Sequence, residues 1–283
     1  MSGGADSLAL LLLAHAAYGD RIEAATIDHG LRPESANEAT FVRRVCDDLR
    51  VSHWRVEVKV ERPGNLSDAA RRARYGALDA WADLNELDGY ATAHHADDQL
   101  ETVIMRLNRG SGVTGLAGIR ARQGKVVRPL LGWRRAELAE IVAGAGLEPV
   151  DDPSNRDDRF DRARLRKALA DADWLDAQAV AKSAALLAEA DAALEWASGA
   201  KGAPTDRVEL DAFQLAKLPP ELRRRHVLAA LQRVEPTLRP RGDALTRLID
   251  TLAAGGTATL GRVLCSSRGG QWRFTRAAER RRA

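Results

Sequence analysis

Ser2-Gly3-Gly4-Ala5-Asp6-Ser7 stands directly ahead of an apolar run, Leu8 to Ala17, that reads as a buried helix. Two glycines let a backbone approach a ligand closely. Several N–H groups at a helix start, joined by two serine hydroxyls, make a ready anion site. The same six residues also read as a glycine turn in which Asp6 and Ser7 cap the helix. The hexapeptide contains no lysine, so it is not a Walker A loop.

Outward from this loop, strand-like and helix-like segments alternate. A short apolar strand spans about 22–28, and a helix beginning at Pro33 runs to about Arg50. A strand at 52–58, a helix at about 67–84, a strand near 90–93 and a helix at about 97–107 follow. Such alternation predicts a parallel sheet with helices on both faces. Four glycines between Gly110 and Gly118 mark a loop, Glu137 to Ala145 is helical, and 151–161 is a polar loop. From about Asp173 to Ser198 the chain reads as one Ala-rich helix. Beyond it, helices at 222–234 and 243–252 precede short strands around Gly269-Gly270. The expected organisation is a catalytic domain over 1–172, a linker helix over 173–199 and a small α+β domain over 200–283.

Composition sets broad limits. The chain has 283 residues, 45% of them hydrophobic, enough to bury a sizeable core, and a formal charge of +3. Most of its positive charge is arginine, a weak pointer to a polyanionic partner. Cys46 and Cys265 are far apart and in no Cys-x-x-Cys pair, which argues against a zinc knuckle and fits a reducing cytoplasm. Ala14-His15-Ala16 has the form of a signal-peptidase site, but no Lys or Arg precedes the apolar run. That run is also too short to span a bilayer.

Three further strings carry chemistry. Asp28-His29-Gly30-Leu31-Arg32 closes a strand, where ligands of open α/β sheets sit; a capping Asp and a turn Gly would read the same. His94-His95-Ala96-Asp97-Asp98-Gln99-Leu100-Glu101-Thr102 follows another strand and opens a helix. Asp98 and Glu101, three apart, share a helical face, and two hard oxygen ligands suit Mg²⁺. The alternative is that these acids only complement the helix dipole. Arg71, Arg72 and Arg74 precede Tyr75 in an Ala-rich helix, ordinarily a solvated face.

Taken together, Ser2–Ser7, the strand-end Asp28-His29-Gly30, the Arg71/Arg74-Tyr75 helix and the His95-x-x-Asp98-x-x-Glu101 string resemble the tRNA(Ile)-lysidine synthetases. So do Arg109-Gly110-Ser111-Gly112, Arg128-Pro129-Leu130-Leu131, Asp152-Pro153-Ser154-Asn155, Arg162 and Leu165-Arg166, in that order. These enzymes belong to the PP-loop, or N-type ATP pyrophosphatase, superfamily. The resemblance covers roughly residues 2–170 and is looser over Pro219-Pro220-Glu221-Leu222 and Pro240-Arg241-Gly242. Ala163 departs from it, since the family commonly has Asn there.

The resemblance implies an α/β fold with a doubly wound parallel sheet of the adenine-nucleotide α-hydrolase-like type. In that family a hydrophobic strand runs straight into the loop, whereas here only Met1 precedes Ser2. The expectation is therefore a truncated first strand, unpaired neighbouring strand edges and a natural start upstream. A further C-terminal domain of longer members is expected to be missing. The implied activity is ligation of free L-lysine to the wobble cytidine of tRNA(Ile) with a CAU anticodon, consuming ATP with Mg²⁺ and releasing AMP and diphosphate.

By the same resemblance, Ser2, Gly3, Gly4, Ala5, Asp6 and Ser7 hold ATP, and Asp98 and Glu101 hold the metal. Asp28, His95, Asp98, Glu101, Arg71 and Arg74 form the reaction centre. Arg109, Ser111, Gly112, Arg128, Arg162 and Arg166 contact the tRNA. A homodimer is compatible with this reading, and a membrane partner is not expected. Thiolation of a tRNA base and tRNA binding without catalysis are the rival readings. Two isolated cysteines speak against the first, and the intact loop and acidic helix against the second.

Overall fold

The computed structural model describes residues 1–28, 35–58, 66–150, 161–240 and 243–277, with the side chains of 35–37 and 66–68 outside that description. His29 to Arg32, the Asp152-Pro153-Ser154-Asn155 string and Arg241-Gly242 therefore lie outside the described residues. Two compact units are present. One comprises Met1–Met105 and Ala117–Leu186, the other Arg106–Leu116 and Leu187–Ala283.

The first unit is the expected layered α/β arrangement. Helix α1 (Ala5–Tyr18) leads to β1 (Glu23–Asp28), α2 (Ser35–Asp48), β2 (Ser52–Glu57), α3 (Leu66–Leu84), β3 (Tyr90–Ala91) and α4 (Ala96–Leu107). After the short α5 (Val113–Leu116), assigned to the second unit, come β4 (Arg122–Gln123), β5 (Val126–Val127), α6 (Arg135–Gly144), α7 (Asp161–Leu169) and α8 (Ala177–Ser198). Strands β1 and β2 pair in parallel, as do β3 and β5, while β4 closes a hairpin on β5.

Two helical layers cover these strands. On one side Leu8, Ala9 and Leu11 of α1, Val42 and Cys46 of α2, and Leu138 and Val142 of α6 share a core with Ala24. In another cluster, Trp81 and Ala82 of α3 pack on Ala25, Tyr90 and Val126. Because Ala24 and Ala25 point to opposite faces of β1, the two clusters lie on opposite sides of the strands. The apolar character of α1 all round its circumference is what such burial requires.

Among the described residues the strands form two separate sheets, β1–β2 and β3–β5–β4, rather than one continuous sheet. The Asp28 carbonyl accepts from Val58 N, on the β2 side. By alternation the Ala25 carbonyl faces the opposite edge, where it accepts a hydrogen bond from the Met1 amino group.

The second unit is a small α+β body. An antiparallel sheet runs in the order β6 (Arg207–Asp211), β9 (Gln271–Arg276), β8 (Val263–Arg268), β7 (Thr257–Leu260). It is accompanied by α9 (Ala212–Lys217), α10 (Pro220–Val234) and α11 (Ala244–Ala253). Gly269 and Gly270, with φ of +57° and +74°, form the two-residue turn between the paired Arg268 and Gln271. Two consecutive left-handed residues suit glycine in such a hairpin. Asp211 caps α9 by accepting from Phe213 N and Gln214 N. No helix among the described residues is long and apolar enough to cross a membrane.

Candidate active site

The Ser2–Ser7 loop is a turn into α1. Gly3 adopts φ +73°, and its carbonyl accepts from Val150 N at 2.9 Å. A Cβ at Gly3 would stand 3.1 Å from Val150 Cγ2 in a conformation that L side chains rarely adopt. Gly4 is the N-cap and brings no side chain to satisfy the helix start. Its carbonyl takes the amides of Ser7 and Leu8 and the Ser7 hydroxyl, while Ser2 N and Ser2 Oγ both donate to Ser7 Oγ. The amides of Gly3, Gly4, Ala5 and Asp6 have no acceptor among the described residues. Both expectations for this segment meet here: it is a glycine turn, and it leaves a row of open donors at the positive end of a buried helix.

Asp6 joins that loop to α4. Its Oδ2 lies 3.6 Å from His95 Nε2, and His95 in turn lies 3.5 Å from both Asp97 Oδ2 and Asp98 Oδ2. Burial opposes a charge on His95, yet the three carboxylates outweigh it and push its pKa up to about 9. Burial likewise opposes ionisation of Asp6 and Asp97, and their contacts with His95 and neighbouring arginines still hold both below the ordinary value. Asp6 Oδ1 is buried with no hydrogen-bond partner.

His94 behaves oppositely. Burial is the main reason its pKa falls to about 4; Asp98 resists, and the charges of Arg128, Arg71 and Arg162 add to the fall. Adjacent histidines are thus held in opposite charge states, His95 as imidazolium and His94 as neutral imidazole. Arg71 and Arg162 thus lie near enough to His94 for their charges to act on it.

Glu101 is almost fully buried and engaged on both oxygens. Arg162 Nε reaches Oε2 at 2.7 Å and Arg166 Nε reaches Oε1 at 2.7 Å, with Arg166 Nη2 3.2 Å from Oε2. Arg162 also approaches Asp98 Oδ1 at 3.6 Å. These contacts tie Arg162 and Arg166 to the acidic helix through Glu101. Helix α7, which carries both arginines, follows the polar loop at 151–161 and is an element that the sequence reading leaves unassigned.

Asp28, 7% exposed at the end of β1, accepts from Arg55 Nη2 at 2.5 Å and Nε at 3.1 Å. Arg71 and Arg74 flank the Tyr75 ring, their guanidinium carbons 5.0 and 5.6 Å from its centroid. Arg128 is buried and donates to the Arg120 carbonyl, so it offers no RNA-facing surface. Arg109 and Gly112 are exposed and Ser111 half-buried in the second unit.

Gln99 was missed. It is buried on α4, where it donates to the Ile119 carbonyl and accepts from Ile119 N, and a Cβ at Gly118 (φ +60°) would collide with its amide. The one sequence signal for it is a glycine-rich loop that must pass close to a helix.

The PP-loop domain family matches residues 1–172. The tRNA(Ile)-lysidine synthase of Novosphingobium aromaticivorans is 46% identical, covering 99% of this chain and 89% of that protein. The chain belongs to the tRNA(Ile)-lysidine synthase family. The Zymomonas mobilis member is 40% identical over 100% of this chain and 89% of its own length. Among solved structures, the U34-tRNA thiolase NcsA from Methanococcus maripaludis aligns with TM-score 0.54 and 17% identity, over 67% of this chain and 71% of that one. That likeness speaks to the fold alone.

Proposed function

We propose that this chain forms lysidine on tRNA(Ile) with a CAU anticodon, joining free L-lysine to C2 of the wobble cytidine with release of AMP and diphosphate. The observation that carries the reading is the row of unpaired amides at Gly3–Asp6, linked through Asp6 and His95 to the acidic helix. ATP places its β- and γ-phosphates on those amides, which suit a tetrahedral oxyanion at a helix start.

The cytidine C2 carbonyl oxygen attacks the α-phosphate, and the bond to the diphosphate breaks. The lysine ε-amine then adds to the activated C2, and AMP departs with the former carbonyl oxygen. Catalysis here means placing two reactants in line and neutralising the leaving charge. Arg71 and Arg74 on α3, with Arg162 and Arg166 on α7, supply planar guanidiniums for phosphate. Asp28 and Asp98 are the acidic groups for the incoming ammonium.

Mg²⁺ fits this site. The unpartnered Asp6 Oδ1 and the Asp98 carboxylate are hard oxygen donors on neighbouring elements. Those two residues would hold the ion, which supplies charge neutralisation on the phosphates. Glu101, expected as a ligand, instead orients the two arginines.

The wobble base is reached by splaying it out of a single-stranded loop while the stem is held through its backbone. The small domain, here taken as 200–283 after a linker over 173–199, together with Arg109, Ser111 and Gly112, provides surface for that grip. The setting is the cytoplasm, where ATP, lysine and tRNA meet. Sulfur transfer is disfavoured because Cys46 and Cys265 are buried in separate cores.

Incubating the protein with labelled lysine, ATP and a tRNA(Ile) CAU transcript is expected to yield labelled tRNA with AMP in equal amount. Binding of the transcript without lysine transfer would refute the reading.

A further inference from the structure

A cleft of about 180 Å³ opens within the second unit, lined by Gly199, Lys201, Val208, Leu210, His226 and Arg233 among others. Its construction follows from two periodicities. On β6, Val208 and Leu210 face the cleft while Glu209 points to the other face, where Arg207 and Arg273 pair it. On α10, His226 and Arg233 are seven residues apart and stand on one side of the helix.

The charge balance of this cleft is one-sided. Lys201 and Arg233 line it beside the His226 ring, and no carboxylate does. Arg233 donates from Nε to the Ala203 carbonyl at 3.1 Å and packs against Gly202, where a Cβ would stand 2.7 Å from Nε. Its two terminal nitrogens, the Lys201 ammonium and the His226 ring meet no partner among the described residues. Elsewhere in the same unit the buried cation Arg225 is answered by Asp191, Glu195 and Glu221. Cations gathered without a counter-charge over an apolar floor repel one another until an anion arrives.

We infer that this cleft is a subsite for one phosphodiester of the bound tRNA. The phosphate lies among Lys201, His226 and Arg233, and its ribose rests on Val208 and Leu210. The inference rests on the lysidine-forming reading, because that reading supplies the RNA. A free mononucleotide has the same phosphate-ester chemistry and is the alternative source.

The test compares wild-type protein with Lys201→Gln and with Lys201→Gln/Arg233→Gln, measuring affinity for the tRNA(Ile) transcript at several salt concentrations. Lys201 is exposed and unpaired, so its single variant retains the fold, and an unchanged thermal midpoint verifies this. The expectation is a roughly five- to tenfold loss of affinity for each contact removed, with the slope of log K against log salt falling by about one each time. Lys182→Gln, an exposed cation outside the cleft, is expected to bind like wild type. Unaltered affinity and slope in both cleft variants would overturn the inference, even where the wild type makes lysidine and the functional reading stands. In a second arm AMP is titrated while the His226 ring resonances are followed. AMP-induced shifts that Lys201→Gln removes, with tRNA affinity untouched, would assign the cleft to a free nucleotide and equally overturn it.

Discussion

Glu101 Oε2 lies 2.7 Å from Arg162 Nε, and the partner oxygen is taken by Arg166. A carboxylate held on both sides in this way orients its arginines. We predict that Glu101→Gln lowers lysidine formation more than tenfold, because neutral Gln cannot hold two guanidiniums in a fork. The Mg²⁺ concentration giving half-maximal rate should stay where it is in wild type. A large rightward shift of that midpoint would return Glu101 to the metal.

Asp98 occupies the gap between His95 and Arg162. Asp98→Ala is expected to abolish turnover while leaving tRNA affinity within about twofold, since phosphate contacts dominate RNA binding. Filter binding beside a lysine-transfer assay separates the two. Turnover like that of wild type would remove Asp98 from the mechanism.

Gly3→Ala places a methyl group 3.1 Å from Val150 Cγ2 at a φ of +73°. The loop must then shift, and the amide row moves with it. The expected outcome is a rise of at least tenfold in the ATP concentration needed for half-maximal AMP formation, with tRNA affinity unchanged. An unaltered ATP dependence would show that the row does not bind ATP.

Gly118→Ala acts on stability. Positive φ and collision with the Gln99 amide together cost about 2 kcal/mol or more, so the thermal midpoint should fall by several degrees. A midpoint equal to that of wild type would mean the Gln99–Ile119 staple yields without cost.

Burial pushes the Cys46 thiol up to about 11 and the Cys265 thiol up to about 12. Thiolate is the reactive form, and the shift works against it. At pH 8 both should resist iodoacetamide in the native protein and react fully once unfolded. Rapid native alkylation of either would reopen sulfur transfer as an activity.

Much of this was written in local patterns. The glycine loop ahead of an apolar run predicts α1 and its open amides, and the alternation through β1, β2 and β3 predicts parallel pairing, because each signal lies within a few residues. The partnerships of Glu101, Gln99 and Arg128 were not legible. An acid three residues beyond Asp98 reads the same whether it meets a metal or an arginine from a helix sixty residues later. Arg128 followed by Pro129 gives no hint of whether its guanidinium points outward or into the core. Helix α7, charged along most of its length, has no apolar stripe long enough to announce itself.

The capless start of α1 also has a practical side. Gly4 offers nothing to quench the donors behind it, so sulfate or inorganic phosphate in a storage buffer will settle there as readily as a nucleotide tail. Such buffers should protect the protein against heat and, at the same concentrations, slow the reaction in competition with ATP. Purification in chloride or acetate, followed by addition of sulfate, would expose both effects in one preparation.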